Sequence, residues 1–189
     1  MGKCICMVAT TMAMVIVVMI NTSNAAPENS QFCKFARLKP LCNRMVRGGR
    51  NYKEALKNAF RRTLLLNRRN TKLLVPVLTP VVKNIKSPSA PNILKTCKEK
   101  VTDITGYIND LIEAVDDDNK DMIEYYLRTG ELTLRECVDS ITELEVPVPP
   151  ELSKAAQDVE DYKETALVIF LQAPIETVYN KPMPADYAG

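Results

Sequence analysis

Apolar residues recur at steps of three and four along most of the 189-residue chain. Steps of that size place side chains on one face of a helix. The longest series, over residues 90–115, has an apolar seam at Leu94, Cys97, Val101, Ile104, Ile108, Leu111 and Val115. Pro91 stands in the first turn, where its missing N–H costs nothing. The pattern predicts one helix here, and Gly106 inside it predicts a close contact with a neighbouring helix.

A second helix is predicted over residues 52–74. We expect it to kink or end at Pro76 and Pro80, because proline removes a helix hydrogen bond and crowds the preceding turn. Its inward-facing residues are Ala55, Leu56, Ala59, Phe60, Thr63 and Leu64. Pro76 also interrupts the nearest candidate for a strand, residues 73–78. The sequence therefore predicts an all-α protein.

Two further helices follow the polar turn at residues 116–119. One ends before Pro147, and its apolar face comprises Met122, Tyr126, Thr129, Thr133, Cys137 and Ile141. The other begins near residue 151 and loosens near Pro174, with an apolar stripe at Leu152, Ala156, Val159, Tyr162, Ala166 and Ile169. One short segment, residues 28–48, precedes the four helices.

The first 25 residues have the organisation of a secretory signal peptide. Lys3 precedes an apolar run at 7–20, and small residues follow up to Ala25. A membrane span needs about 20 apolar residues, so a membrane anchor is the weaker alternative. We expect cleavage after Ala25 or Ala26, a secreted and extracellular domain over 26–180, and a flexible tail over 181–189.

The cysteine pattern predicts two disulfides in the exported chain. Cleavage leaves four cysteines, at positions 33, 42, 97 and 137. A zinc site is the alternative, but structural zinc ligands are usually separated by about two to four residues, and Cys33 and Cys42 are farther apart. Cys97 and Cys137 lie equally far from residue 117 in sequence. If the two middle helices are antiparallel and turn near that residue, both cysteines lie at the same end of the pair, within disulfide reach.

The charges are divided along the chain. Cations are frequent between Arg44 and Lys72, where Glu54 is the one acidic residue, and the segment after residue 100 is acidic. The two segments can pack together and partly neutralise each other's charge. Alternatively, one charged face can bind a charged partner such as a polyanionic polysaccharide or a protein.

Residues for common catalytic chemistry are missing from the sequence. The chain has no histidine, and its exported cysteines are even in number, which leaves no unpaired thiolate. No Gly-x-Ser-x-Gly motif or phosphate-binding glycine loop is present, and residues 47–50 are better interpreted as a linker. The acidic run 116–118 lacks the pattern of a calcium-binding loop, so we interpret it as a solvated turn at a helix start. We therefore predict that the protein is not an enzyme and holds no metal or cofactor.

Three segments resemble the plant invertase and pectin methylesterase inhibitors. They are residues 33–42, the span from Cys97 to Cys137, and residues 158–169. The resemblance covers about residues 30–175 and implies an up-and-down four-helix bundle preceded by a short disulfide-closed helical hairpin. It also implies pairing of the first cysteine with the second and of the third with the fourth. Some invertase inhibitors carry a Pro-Lys-Phe motif where this chain has residues 120–122, Lys-Asp-Met, which favours the pectin methylesterase branch.

The resemblance implies a monomeric inhibitor that covers the active-site cleft of pectin methylesterase or invertase in a one-to-one complex. It implies no nucleic-acid partner, and no membrane after signal cleavage. We predict that the partner-binding residues lie on the exposed side of the two middle helices: Asp110, Asp117, Lys120, Asp121, Glu124, Tyr125 and Arg128. Of the adjacent Tyr125 and Tyr126, one is expected to face the core. A secreted helical ligand without inhibitory activity, and an adhesin that holds polyanionic pectin through residues 44–72, are the alternatives.

Overall fold

The structure is a computed structural model that describes residues 30–129 and 131–173. These residues form a short 3-10 turn at Gln31–Cys33 and six α-helices, and they contain no strand. The helices are α1 (Lys39–Val46), α2 (Tyr52–Asn84), α3 (Ala90–Asp116), α4 (Lys120–Arg128), α5 (Arg135–Thr142) and α6 (Pro150–Leu171). The predicted all-α class is confirmed for these residues. The predicted signal peptide at 1–25 and the predicted tail at 181–189 lie outside them.

The segment before α2 is a small hairpin that packs on α2 and α6. The backbone N–H of Ser30 donates to Oδ1 of the buried Asn43 at 3.1 Å, which fastens the start of the 3-10 turn to α1. The Cys33–Cys42 disulfide, with a Cα–Cα distance of 5.7 Å, joins the same two elements. Residues 47–50 link this hairpin to α2, as predicted.

Helix α2 is longer than predicted, because it continues through both prolines to Asn84. Pro76 and Pro80 are exposed, on the side of the helix turned away from the core. Leu74 and Leu78 on the opposite side are buried. The expected stop at the prolines is wrong, since packing of the inner side stabilises a helix whose outer side has lost two hydrogen bonds.

The prediction of a single helix between residue 119 and Pro147 is also wrong. The chain forms α4 and α5, and the described residues between them, 129 and 131–134, are non-helical. Leu132, one of these residues, is 2% exposed, whereas an unbroken helix would turn it away from the neighbouring buried residues. The buried face of α4 is formed by Ile123 and Leu127, and the expected Met122 is instead 39% exposed.

The helix boundaries of α3 and α6 agree with the prediction to within two residues. Most residues of the two predicted seams are buried, although Leu94 of α3 and Ala156 and Tyr162 of α6 are only half-buried. Leu64 of the predicted α2 face is half-buried as well. The close contact predicted at Gly106 is wrong: the residue is exposed, and no atom lies within 4 Å of the position its Cβ would take.

Helices α3 and α6 each pack against α2, α4 and α5. The N-terminal end of α2 lies beside the C-terminal end of α3, where Lys57 Nζ donates to Asp116. Farther along, Asn67 of α2 donates to the Val101 carbonyl of α3 at 2.8 Å, so the two helices are antiparallel. One cluster of buried apolar residues runs through all six helices. None of the described helices is long and apolar enough to cross a membrane.

The predicted Cys97–Cys137 disulfide is present, with a Cα–Cα distance of 4.8 Å. Its partners lie on α3 and α5, although α4 and α5 are not one helix. The two short helices keep one antiparallel register against α3. Tyr126 of α4 lies beside Asp110 of α3, and Glu136 of α5 lies beside Lys100. Since all four cysteines are paired, the zinc alternative is excluded for them.

Candidate functional site

Three tyrosines form a cluster on the surface between α3 and α4. The ring centroids of Tyr107 and Tyr126 are 5.1 Å apart and tilted by 32°. Tyr125 stands edge-on to Tyr126, with centroids 5.4 Å apart. These distances lie in the favourable range for aromatic pairs, which add about 0.5–1.5 kcal/mol beyond burial. We call Tyr107, Tyr125 and Tyr126 the tyrosine cluster.

Carboxylates surround the cluster and act on its hydroxyls. The Tyr126 hydroxyl donates to Asp110 Oδ2 at 3.5 Å. The charge of Glu131 raises the pKa of Tyr107, helped by partial burial, a hydrogen bond to Glu131 and the charge of Asp103. Partial burial and then the charge of Asp110 raise the pKa of Tyr126. Because both shifts favour the neutral phenols, Tyr107 and Tyr126 keep their hydroxyl donors.

The exposed part of this surface is apolar at its centre. Tyr125 is 58% exposed and Met122 is 39% exposed, whereas Tyr107 and Tyr126 are half-buried. The expectation that one of the two adjacent tyrosines faces the core is met only in part. Tyr126 packs on α3 rather than in the core, because Ile123 and Leu127 occupy the buried face.

Five of the seven predicted partner-binding residues lie on or beside this surface, and a sixth, Asp117, lies in the turn at the end of α3. Asp121, Tyr125 and Arg128 are exposed and share the outer face of α4 at helical spacing. Glu124 is half-buried and pairs with Arg128. The remaining two are exposed on α3 and at its end: Asp110 and Asp117.

Lys120, the first residue of α4, lines a different feature of the surface. It is half-buried and lines a cleft of about 700 Å³ where the start of α2, the end of α3, the start of α4 and the end of α6 meet. Tyr52 and Phe170 line the same cleft. The structure thus divides the predicted residues between the outer face of the tyrosine cluster and the edge of this cleft.

The acidic turn after α3 binds lysines of α2. Lys57 Nζ donates to both carboxylate oxygens of Asp116, at 2.6 and 2.7 Å. Lys53 reaches the Asp116 carbonyl at 2.7 Å and Asp118 Oδ1 at 3.5 Å. A hydrogen bond from Lys57, followed by the charges of Lys57, Lys53 and Arg61, lowers the pKa of Asp116. The turn is therefore an ion-paired contact between helices rather than only a solvated one.

A buried lysine anchors the segment between α4 and α5. Lys100 of α3 is 6% exposed, and its Nζ lies 3.2 Å from Glu136 and 3.8 Å from Glu131. Because Glu131 also acts on Tyr107, one carboxylate joins this ion pair to the tyrosine cluster. The pair therefore holds the edge of the cluster in place.

The sequence analysis did not single out Tyr107, Asp103 or Glu131. The sequence does indicate that Asp103 and Tyr107 belong with Asp110, because residues 103, 107 and 110 fall on one face of α3 at steps of four and three. Glu131 lies in the interruption between α4 and α5, which the helical pattern did not predict.

The described residues offer the chemistry of a binding surface. Their four cysteines are disulfide-bonded, and no group of three or more metal-ligating side chains occurs among them. The tyrosine cluster combines an exposed aromatic ring, an exposed thioether and a carboxylate rim, which suits a protein surface carrying cations. Neither the models of known protein families nor the curated proteins include a match to this chain.

Proposed function

We propose that this chain is a secreted protein inhibitor of a cell-wall carbohydrate-active enzyme, with pectin methylesterase as the preferred target. It would act as an extracellular monomer without catalytic activity, by covering the substrate cleft in a one-to-one complex. The single observation that carries this proposal is the tyrosine cluster with its carboxylate rim. Exposed aromatic rings on ordered helices are typical of the residues that dominate protein interfaces.

The arrangement of the helices supports the proposal. We propose that they form an up-and-down four-helix bundle in which α4 and α5 together take one position, preceded by the Cys33–Cys42 hairpin. The packing of α3 and α6 on both α2 and the α4–α5 pair fits that arrangement. Two disulfides at the expected pairs also fit it.

The structure supplies a rigid surface for a steric mechanism. Tyr125 and Met122 form the apolar centre, and Asp110, Asp121 and Glu131 form a charged rim. The apolar centre would bury against the target, while the rim would accelerate association with a basic surface and help to select it. Since Lys100 and the Cys97–Cys137 disulfide hold this region, little ordering would be needed on binding.

The test is to titrate pectin methylesterase and acid invertase separately with the mature protein. We expect methylesterase activity to fall to near zero at an equimolar ratio, with less effect on invertase. If neither enzyme loses activity at micromolar protein, the inhibitor function is wrong for both targets. Saturable binding to intact cells would then favour the alternative of a helical ligand.

A pair of variants locates the surface. Tyr125→Ala should weaken inhibition about 30-fold, because truncation of a central aromatic residue typically costs about 2 kcal/mol of binding free energy. Phe35→Ala is the matched control, since Phe35 is a 69% exposed aromatic residue on the N-terminal hairpin. Equal loss of inhibition in both variants would place the interface elsewhere.

A further inference from the structure

The outer side of α2 carries five cations, Arg61, Arg62, Arg68, Arg69 and Lys72, which we call the basic face. All five are exposed, and they lie opposite the buried stripe that contains Phe60, Asn67 and Leu74. The face covers 11 residue steps of helix, or about 16 Å. No acidic residue occurs in α2 after Glu54.

None of these five cations forms an ion pair or a side-chain hydrogen bond within the part of the chain that the structure describes. The cations of α3 to α6 behave differently, and six of them pair with carboxylates: Lys95, Lys100, Arg128, Arg135, Lys154 and Lys163. Packing of the basic and acidic segments therefore neutralises Lys53 and Lys57 at one end of α2 and brings Arg61 within the field of Asp116, but it leaves the four cations from Arg62 to Lys72 uncompensated.

Nearby carboxylates do not reach the face. Arg69 and Arg44 line a cleft of about 350 Å³ together with Asp158 and Asp161. Those two carboxylates bind other groups, however: Asp158 pairs with Lys154, and Asp161 pairs with Arg37.

The charges are close enough to act together. Arg68 and Arg69 lie four and three residues before Lys72, a spacing of about 5–6 Å on a helix, and the six residue steps from Arg62 to Arg68 rise by about 9 Å. These separations are comparable to the screening length of about 8 Å at physiological ionic strength. Four of the five cations are arginines, whose planar guanidinium groups bind carboxylates and sulfates through two hydrogen bonds. Arg61, Arg68 and Lys72 align along the helix, and Arg62 and Arg69 form a second line of anion-binding groups beside them.

We propose that the basic face binds a linear polysaccharide that carries repeated carboxylate or sulfate groups, lying along α2. A row of unpaired cations 16 Å long matches a repeating anionic polymer better than a single small anion. A lipid surface is disfavoured, because Leu65 and Leu73 are the exposed large apolar residues here and a membrane-surface helix needs a broad apolar face. Nucleic acid is disfavoured since disulfide-bonded chains reside in oxidising compartments.

This inference does not depend on the proposed inhibitor function. The basic face lies on α2 and the tyrosine cluster on α3 and α4, and α3 contacts both α2 and α4. The two surfaces share no residue, so substitutions in the basic face leave the tyrosine cluster unchanged and the two proposals can be tested separately.

The test measures binding of the mature protein to polygalacturonate and to dextran sulfate, with neutral dextran as the control polymer. We expect binding to at least one polyanion, no binding to neutral dextran, and weakening as salt rises from about 50 to about 200 mM. The two polyanions separate carboxylate from sulfate recognition. Absence of binding to both polyanions, or binding whose affinity does not change with salt concentration, would overturn the inference.

Two triple variants of equal charge show whether the face itself is responsible. R61Q/R68Q/K72Q should weaken binding at least tenfold, whereas K95Q/K98Q/R135Q, which removes three exposed cations from α3 and α5, should change it less than threefold. Equal losses in both would mean that net charge alone drives binding. Tighter binding to phosphatidylserine vesicles or to duplex DNA than to either polysaccharide, at the same salt, would show that the partner class is wrong.

Discussion

Gly106 and Gly49 occupy opposite surroundings, and their replacement by alanine should change stability in opposite directions. Gly106 is an exposed helix-interior residue with no atom within 4 Å of its missing Cβ. Gly106→Ala should therefore stabilise the fold by about 0.5–1 kcal/mol. At Gly49 an added Cβ would meet the Ala55 Cα and N at 2.7 Å, so Gly49→Ala should destabilise it. Urea midpoints with unchanged slopes measure both, and a destabilised Gly106→Ala would indicate a contact that the structure lacks.

Tyr52 should make the protein less stable in alkali. Its hydroxyl is buried without a hydrogen-bond partner, and burial raises its pKa well above the usual value. The folded state thus holds the phenolic proton more tightly than the unfolded state does. The stabilising effect is complete below about pH 10 and is lost as the pH rises toward the raised folded pKa.

Tyr52→Phe tests this dependence. It should keep or raise stability at about pH 7, because it removes an unpaired buried hydroxyl that costs about 1–3 kcal/mol. It should also reduce the loss of stability between about pH 9 and about pH 11, where normal tyrosines ionise. Tyr125→Phe, at a 58% exposed site, is the control. Urea unfolding at several pH values provides the measurement, and an unchanged alkaline loss in Tyr52→Phe would contradict the assignment.

At the scale of the element, helical periodicity predicted α3 and α6 well. Each has a continuous buried stripe, and their packing partners do not oppose the local pattern. The end of α2 could not be predicted from local rules. Pro76 and Pro80 each disfavour a helix by about 3 kcal/mol, and burial of Leu74 and Leu78 beside Leu94 and Cys97 of α3 helps to offset that cost.

The interruption between α4 and α5 escaped prediction for a related reason. Thr129, Gly130 and Thr133 are weak helix formers, but such residues often remain helical. Tertiary contacts favour the interruption: Leu132 becomes buried, and Glu131 and Glu136 pair with the buried Lys100. These contacts join residues more than 30 positions apart, so a short sequence window does not contain them.

In the candidate site, too, the local sequence pattern predicted some residues, whereas others depend on contacts between distant parts of the chain. The acidic and aromatic residues of α4 were identified from the sequence because the outer face of a short helix follows from periodicity alone. Tyr107 joined them only when the register of α3 against α4 was known, since the two rings lie 5.1 Å apart but 19 residues apart in sequence. The position of Lys120 at the edge of the cleft likewise depends on how four helix ends meet.

At the scale of the whole molecule, the two disulfides should differ in what they contribute. Cys33–Cys42 closes a short loop within the hairpin, whereas the Cys97–Cys137 pair, 40 residues apart, ties α3 to α5. If cross-links act mainly on the unfolded chain, the loop entropies correspond to about 2.7 and about 3.9 kcal/mol. The larger loop should therefore contribute about 1.2 kcal/mol more.

Removing each disulfide in turn tests that difference. C97A/C137A should unfold at a lower urea concentration than C33A/C42A, and matched alanine pairs are suitable because all four cysteines are at most 3% exposed. Near the 97–137 bridge, Glu136 would also be less firmly held against Lys100, so the C97A/C137A variant should bind its protein target more weakly while C33A/C42A binds normally. Greater instability of C33A/C42A would mean that the hairpin, rather than the α3–α5 connection, is what the rest of the fold depends on.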